Sequence, residues 1–197
     1  AFFTQLARGL TPTQSALLLV PMAVLSGALA PLAGRILDRV DPRLLLVPGL
    51  TLMVLGLVGY ALLMNTEAPV LLLLIPAAII GVANAGMWGP LATTATRNLP
   101  PRQAGAGSGI YNTTRTVGSV IGSAAIAAYM QSRLTANLPG AGDAAGGDFG
   151  GGGSMPPAIA EGFSAAMAQA MVLPAVVIGV AVIVVIFLKR PAHLAQR

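Results

Sequence analysis

A chain of 197 residues that is 55% hydrophobic and only 9% charged, with a mean hydropathy of +0.80, lacks the polar surface of a soluble domain and reads as an integral membrane protein. Cysteine is absent and His193 is the sole histidine, so a disulfide framework, a thiol nucleophile and a Cys/His metal cluster are all excluded. The net charge of +5 does not signal nucleic acid, because the bases flank alternate turns instead of gathering on one patch.

Five stretches carry the roughly 17–25 apolar residues that a bilayer core of about 30 Å demands: Ala16–Gly34, Leu44–Met64, Pro69–Ala95, Ala104–Met130 and Phe163–Leu188. They exceed a signal-peptide core. The opening Ala1-Phe2-Phe3 reads as the tail of a sixth helix, and the chain as a fragment. Asp41-Pro42-Arg43 supplies a helix cap followed by Pro at the first helical position, and Pro100-Pro101 marks the start of the fourth span. Residues 131–157, rich in Gly, Ala and Asp and containing Gly150–Gly153, read as a flexible loop without a ligand role.

Arg35, Arg39, Arg43, Arg97, Arg102, Lys189, Arg190 and Arg197 fall on one side of the spans, against Arg8 and Arg133 on the other. Bases accumulate on the cytoplasmic side. The turn at Asp38 and the C-terminus are therefore expected to be cytoplasmic, and residues 131–157 outside. The second span is apolar, with Gly49, Gly56 and Tyr60 on one side as a packing seam, and the fifth ends in an unbroken Val, Ile and Ala run. Deep polar groups occur only in the third and fourth spans, at Asn84, Asn112 and Arg115.

Arg115 is the most informative of these. An ionised side chain within a span costs at least about 2.5 kcal/mol, so it should face protein or a wet cavity. At helical spacing Ser108, Asn112, Arg115, Ser119 and Gly122 share a sector of roughly 80°, opposite Ala106, Ile110, Val117, Ile121 and Ala124. The alternative is a structural Arg that ties two helices together by bonding a carbonyl. Trp88, the sole Trp, could stack on a planar cation, or simply anchor or pack. No nucleophile–base pair or metal constellation appears, so neither enzyme activity nor a cofactor is expected.

Two motifs go further. The turn Gly34-Arg35-Ile36-Leu37-Asp38-Arg39-Val40-Asp41-Pro42-Arg43 resembles the G-x-x-x-D-R-x-G-R-[KR] loop of the major facilitator superfamily, with Asp41 where Gly is usual. The stretch Gly81–Pro90 leads into Leu99–Gly122, where Pro100, Ala104, Gly105, Gly109, Asn112, Arg115, Gly118 and Gly122 resemble the P-x-x-x-A-G-x-A-S-G-x-x-N-x-x-R-x-x-G-x-x-x-G pattern of its drug:proton antiporters with fourteen spans.

The resemblance implies an all-α polytopic helix bundle, the C-terminal half of a major facilitator fold, in a bacterial inner membrane. Its implied function is proton-coupled efflux of amphipathic drugs or toxic compounds; a superfamily exporter of one metabolite and a non-transporting membrane fragment are the alternatives. The first, third and fourth spans should line the cavity, with the second and fifth peripheral. Asn84, Trp88, Asn112, Arg115 and Ser119 would form the substrate cavity, and Gly34, Asp38, Arg39 and Arg43 a conformational-switch loop. None of the six acids lies deep in a span, and Arg does not release its proton near neutrality. The proton-binding carboxylate is then expected in the N-terminal half, with Arg115 as a fixed counter-charge. The implied partners are the lipid bilayer, a small amphipathic substrate, protons and that N-terminal half.

Overall fold

The computed structural model describes residues 3–65, 68–96, 98–137 and 157–187, and among these there are helices and turns but no strand. A short π-helical turn, Phe3–Ala7, precedes α1 (Pro12–Leu17) and α2 (Val20–Leu37). Thr11 and Gln14 cap α1 reciprocally: the Gln14 N–H donates to Thr11 Oγ1 at 3.3 Å, and the Thr11 N–H to Gln14 Oε1 at 3.0 Å. Pro21 has no N–H to offer the carbonyl of Leu17, so the chain turns at Leu18-Leu19 and restarts as α2.

After α3 (Arg43–Leu63), a 3-10 turn at Val70–Leu73 leads into α4 (Leu74–Thr96), and another at Pro101–Gln103 leads into α5 (Ala104–Asn137). The last two helices, α6 (Pro157–Ala170) and α7 (Val172–Ile186), break at Met171 because Pro174 cannot donate to the carbonyl of Ala170. Asp41 starts α3. Its carboxylate accepts the Arg43 N–H at 3.0 Å, and its carbonyl accepts the Leu44 N–H at 2.9 Å, although regular helix begins at Arg43.

Among the described residues, four stretches are long and apolar enough to cross a membrane: Pro12–Leu37, Arg43–Leu63, Val70–Thr96 and Ala160–Ile186. The 34-residue α5 is not among them, since its polar stripe and many glycines dilute its hydropathy. It runs to Asn137, several residues into the segment expected as loop. Leu134 gives those extra turns an apolar anchor, being buried with Phe3, Leu73, Phe163, Ala166 and Met167. Asn137 Nδ2 reaches Gln169 Oε1 at 3.4 Å. The rest of the expected loop, 138–156, lies outside the described residues.

At the centre stands α4, packed against both α2 and α3, with α7 on the far side of α3. Glycines make this possible, because without a side chain the backbones approach until dispersion contacts replace the hydrophobic force that lipid cannot supply. A Cβ on Gly49 would lie 3.2 Å from the backbone carbon of Gly86, and one on Gly59 would lie 3.3 Å from Pro76 Cβ. Gly56 is closed in by Ile80. The seam expected at Gly49 and Gly56 therefore exists, and it encloses Leu46, Leu50 and Met53 with Ile80, Ala83, Met87 and Val185.

The second spanning helix, α3, packs against both α4 and α7, its glycine seam seated on α4, with Leu44, Leu55, Val58 and Leu62 exposed. The outward side of α7 agrees with a lipid-facing helix, with Val176, Val177, Val180 and Ile183 exposed. In α5 the only buried residue is Leu134; Ile110, for example, is 70% exposed.

Candidate functional site

The polar side chains singled out in α4 and α5 meet where the two antiparallel helices run side by side. Trp88 and Asn84 are one turn apart on α4, and the indole Nε1–H donates to Asn84 Oδ1 at 3.0 Å. That bond fixes the ring plane. Arg115 of α5 lies over it, with its guanidinium carbon 4.6 Å from the ring centroid, a contact worth from about 0.5 kcal/mol when exposed to about 2 kcal/mol when desolvated. Arg115 thus links two helices, through an aromatic face and not through a carbonyl. Among the described residues it makes no ion pair or hydrogen bond.

Between this pair and the turn leading into α5 lies a cavity of about 370 Å³, lined by Trp88, Ala92, Thr96, Ser108, Tyr111, Asn112 and Arg115. It falls in the range of small-molecule sites. Among the described residues that line it, Arg115 carries the only charge. The Thr96 hydroxyl is turned to its own helix, donating to the Ala92 carbonyl at 3.0 Å, which leaves Ser108, Tyr111 and Asn112 as the adaptable polar groups.

Trp88, Asn112 and Arg115 are therefore brought together, and Asn84 joins them as the group that orients Trp88. Ser119 is not part of the cavity. It lies one turn beyond Arg115, is exposed and is not among the residues that line the cavity. Tyr111 and Ala92 were not anticipated, although Tyr111 stands four residues before Arg115 and Ala92 four after Trp88, on the same helical faces.

The turn between α2 and α3 is separate from this cavity. Gly34 lies within α2, and a Cβ there would meet nothing within 4 Å, whereas one at Gly49 or Gly81 would meet neighbouring backbone. Asp38 caps the end of α2 through its backbone N–H, which donates to the Gly34 carbonyl at 3.2 Å. The side chains of Asp38 and Arg39 are exposed and, among the described residues, form no ion pair. Arg43 Nη1 donates to the carbonyl of Ile186 at 3.4 Å, placing a positive charge at the C-terminus of α7, where the helix dipole favours it. Its sequence neighbours gave no hint of this partner, 143 residues away.

Residues 1–123 match the family model described as Major Facilitator Superfamily. The chain is 40% identical over 190 residues to an uncharacterized MFS-type transporter of Mycobacterium tuberculosis, covering 95% of this chain and 33% of that protein. It is 30% identical over 136 residues, 69% of this chain and 25% of the relative, to the multidrug resistance protein Stp of the same species. It is 31% identical over 123 residues, 62% and 26% respectively, to the lincomycin resistance protein LmrB of Listeria innocua. The chain spans between a quarter and a third of the length of these relatives. With the family model matching more than half of its residues, the chain belongs to the major facilitator superfamily, as a multi-pass helical membrane protein.

Proposed function

We propose that this chain is the C-terminal part of a proton-coupled exporter of amphipathic compounds, in which Asn84, Trp88, Asn112 and Arg115 form part of the substrate cavity. The observation that carries this is Arg115: a permanent charge stacked on Trp88 in an α4–α5 cavity, with no anionic partner among the described residues. A charge that raises the cost of insertion and is not neutralised nearby has its use in meeting an anion during the transport cycle. The names of two relatives, a multidrug and a lincomycin resistance protein, support export of foreign compounds. In this reading a proton-binding carboxylate is supplied by the remainder of the transporter, and the α2–α3 turn biases the exchange between inward- and outward-open states.

The test uses the full-length transporter reconstituted in liposomes, with an imposed pH gradient and an amphipathic fluorescent dye. Dye movement should follow the gradient in the wild type and be lost in Arg115→Ala, counted per folded molecule, with Arg115→Lys retaining part of it because charge survives while the planar fork does not. Gradient-driven movement that is unchanged in well-folded Arg115→Ala would overturn the proposal.

A further inference from the structure

The stacking of Arg115 on Trp88 constrains what the cavity can accept. Trp88 is the only Trp of the chain and an obvious platform for an aromatic cation, yet one of its faces is already covered by a guanidinium at 4.6 Å. A second cation placed there would lose the ring and meet a like charge at close range. An anion meets the opposite situation. The guanidinium carries N–H donors in a fixed planar array, and among the described residues none of them is engaged. Ser108, Tyr111 and Asn112, which line the same cavity, can all donate hydrogen bonds. Among the described residues no acidic side chain lines it.

Resting on the assignment of this cavity to substrate, we infer that it selects amphiphiles bearing a single carboxylate, held by Arg115 with an apolar or aromatic body beside Trp88, Ala92 and the ring of Tyr111. One positive charge balances one negative charge, and the planar guanidinium fork matches a carboxylate edge to edge. A dianionic phosphate would leave a surplus charge, since the described lining residues hold no second base. The volume of about 370 Å³ suits a body of one or two fused rings, and Asn84 serves as a positioning residue by holding the indole while Arg115 swings toward the ligand.

The experiment measures binding of three matched probes to the purified full-length transporter by titration calorimetry: 2-naphthylacetate, 2-naphthylacetamide and 2-naphthylethylammonium. They share the ring system and differ chiefly in charge. The carboxylate should bind at least about tenfold more tightly than the amide, a factor corresponding to about 1.4 kcal/mol, and the ammonium more weakly than either. In Arg115→Gln the preference for carboxylate over amide should vanish while amide binding persists, which shows that the variant is folded; Arg115→Lys should keep a reduced preference. Equal binding of the three probes, as would follow if an acidic side chain from elsewhere in the transporter neutralises Arg115, overturns the inference. So does tighter binding of the ammonium, or a carboxylate preference that survives Arg115→Gln. A wild-type transporter without selectivity among the probes but with intact gradient-driven dye efflux removes this inference alone; absence of gradient-driven efflux in the wild type removes the exporter assignment beneath it.

Discussion

Gly81 of α4 faces the backbone of Met22 in α2 so closely that a Cβ on Gly81 would lie 2.7 Å from the Met22 carbonyl oxygen and 2.9 Å from its Cα. Backbone cannot rotate away as a side chain tip can. Gly81→Ala should therefore push α2 from α4 at a cost of about 1–3 kcal/mol, read as a lower melting temperature in detergent. Gly179→Ala is the matched control: a Cβ there meets nothing within 4 Å, and removing a helix-interior glycine should leave stability unchanged or raise it by up to about 1 kcal/mol. Equal melting temperatures for the two variants would show that α2 and α4 are not in backbone contact.

The two aspartates of the α2–α3 turn should behave differently. Asp41 caps α3 through its carboxylate, so Asp41→Ala should destabilise the protein by about 0.5–2 kcal/mol, while Asp41→Asn, which keeps an acceptor oxygen, loses less. Asp38 is exposed. In the full-length transporter Asp38→Asn should slow transport and leave equilibrium substrate binding within about threefold, since an exposed charge contact is worth about 1 kcal/mol or less. A large loss of binding with normal turnover would exclude a switching role for Asp38.

The Asn84–Trp88 bond predicts graded effects on transport. Trp88→Phe keeps an aromatic face for Arg115 but gives up the Nε1–H, and Asn84→Ala keeps the indole but frees it to turn. Both should retain part of the efflux activity, with Trp88→Ala falling well below either. Efflux is compared after normalising to folded protein. If Trp88→Ala transports as well as Trp88→Phe, the aromatic face has no part in the cavity.

The arginine distribution predicts that the α2–α3 turn is cytoplasmic and residue 154 outside. An impermeant thiol reagent applied to intact cells should modify Ser154→Cys and spare Val40→Cys in a cysteine-free background. The reverse labelling pattern would invert the orientation.

Local pattern made much of this legible. The α5 stripe could be read because its residues follow one another at helical spacing, and the glycine seam because Gly49 and Gly56 recur at seven residues on an otherwise apolar helix. The Arg115–Trp88 contact is different in kind: it depends on the register between two antiparallel helices, set by the intervening turn and by packing, which neither helix encodes alone. The same holds for Arg43 and Ile186, at opposite ends of the chain. Gly34 belongs to a loop motif in sequence, yet it lies within α2 with open space beside it. Ser119 shares the sector of Arg115, but a common sector specifies azimuth and not depth, and the cavity ends a turn before it.

Within this chain α5 is fastened by Leu134 near one end, and a long helix held at one end transmits a tilt as a lever does. From Leu134 to Arg115 the axis runs about 28 Å, and to Ala104 about 45 Å, at 1.5 Å per residue. A tilt of about 5° about the Leu134 pivot would move Arg115 by about 2.5 Å and Ala104 by about 4 Å on that rise. The first displacement is comparable with the slack in a stacking contact, so a rotation too small to disturb the pivot would suffice to lift the guanidinium from the indole and change the width of the cavity.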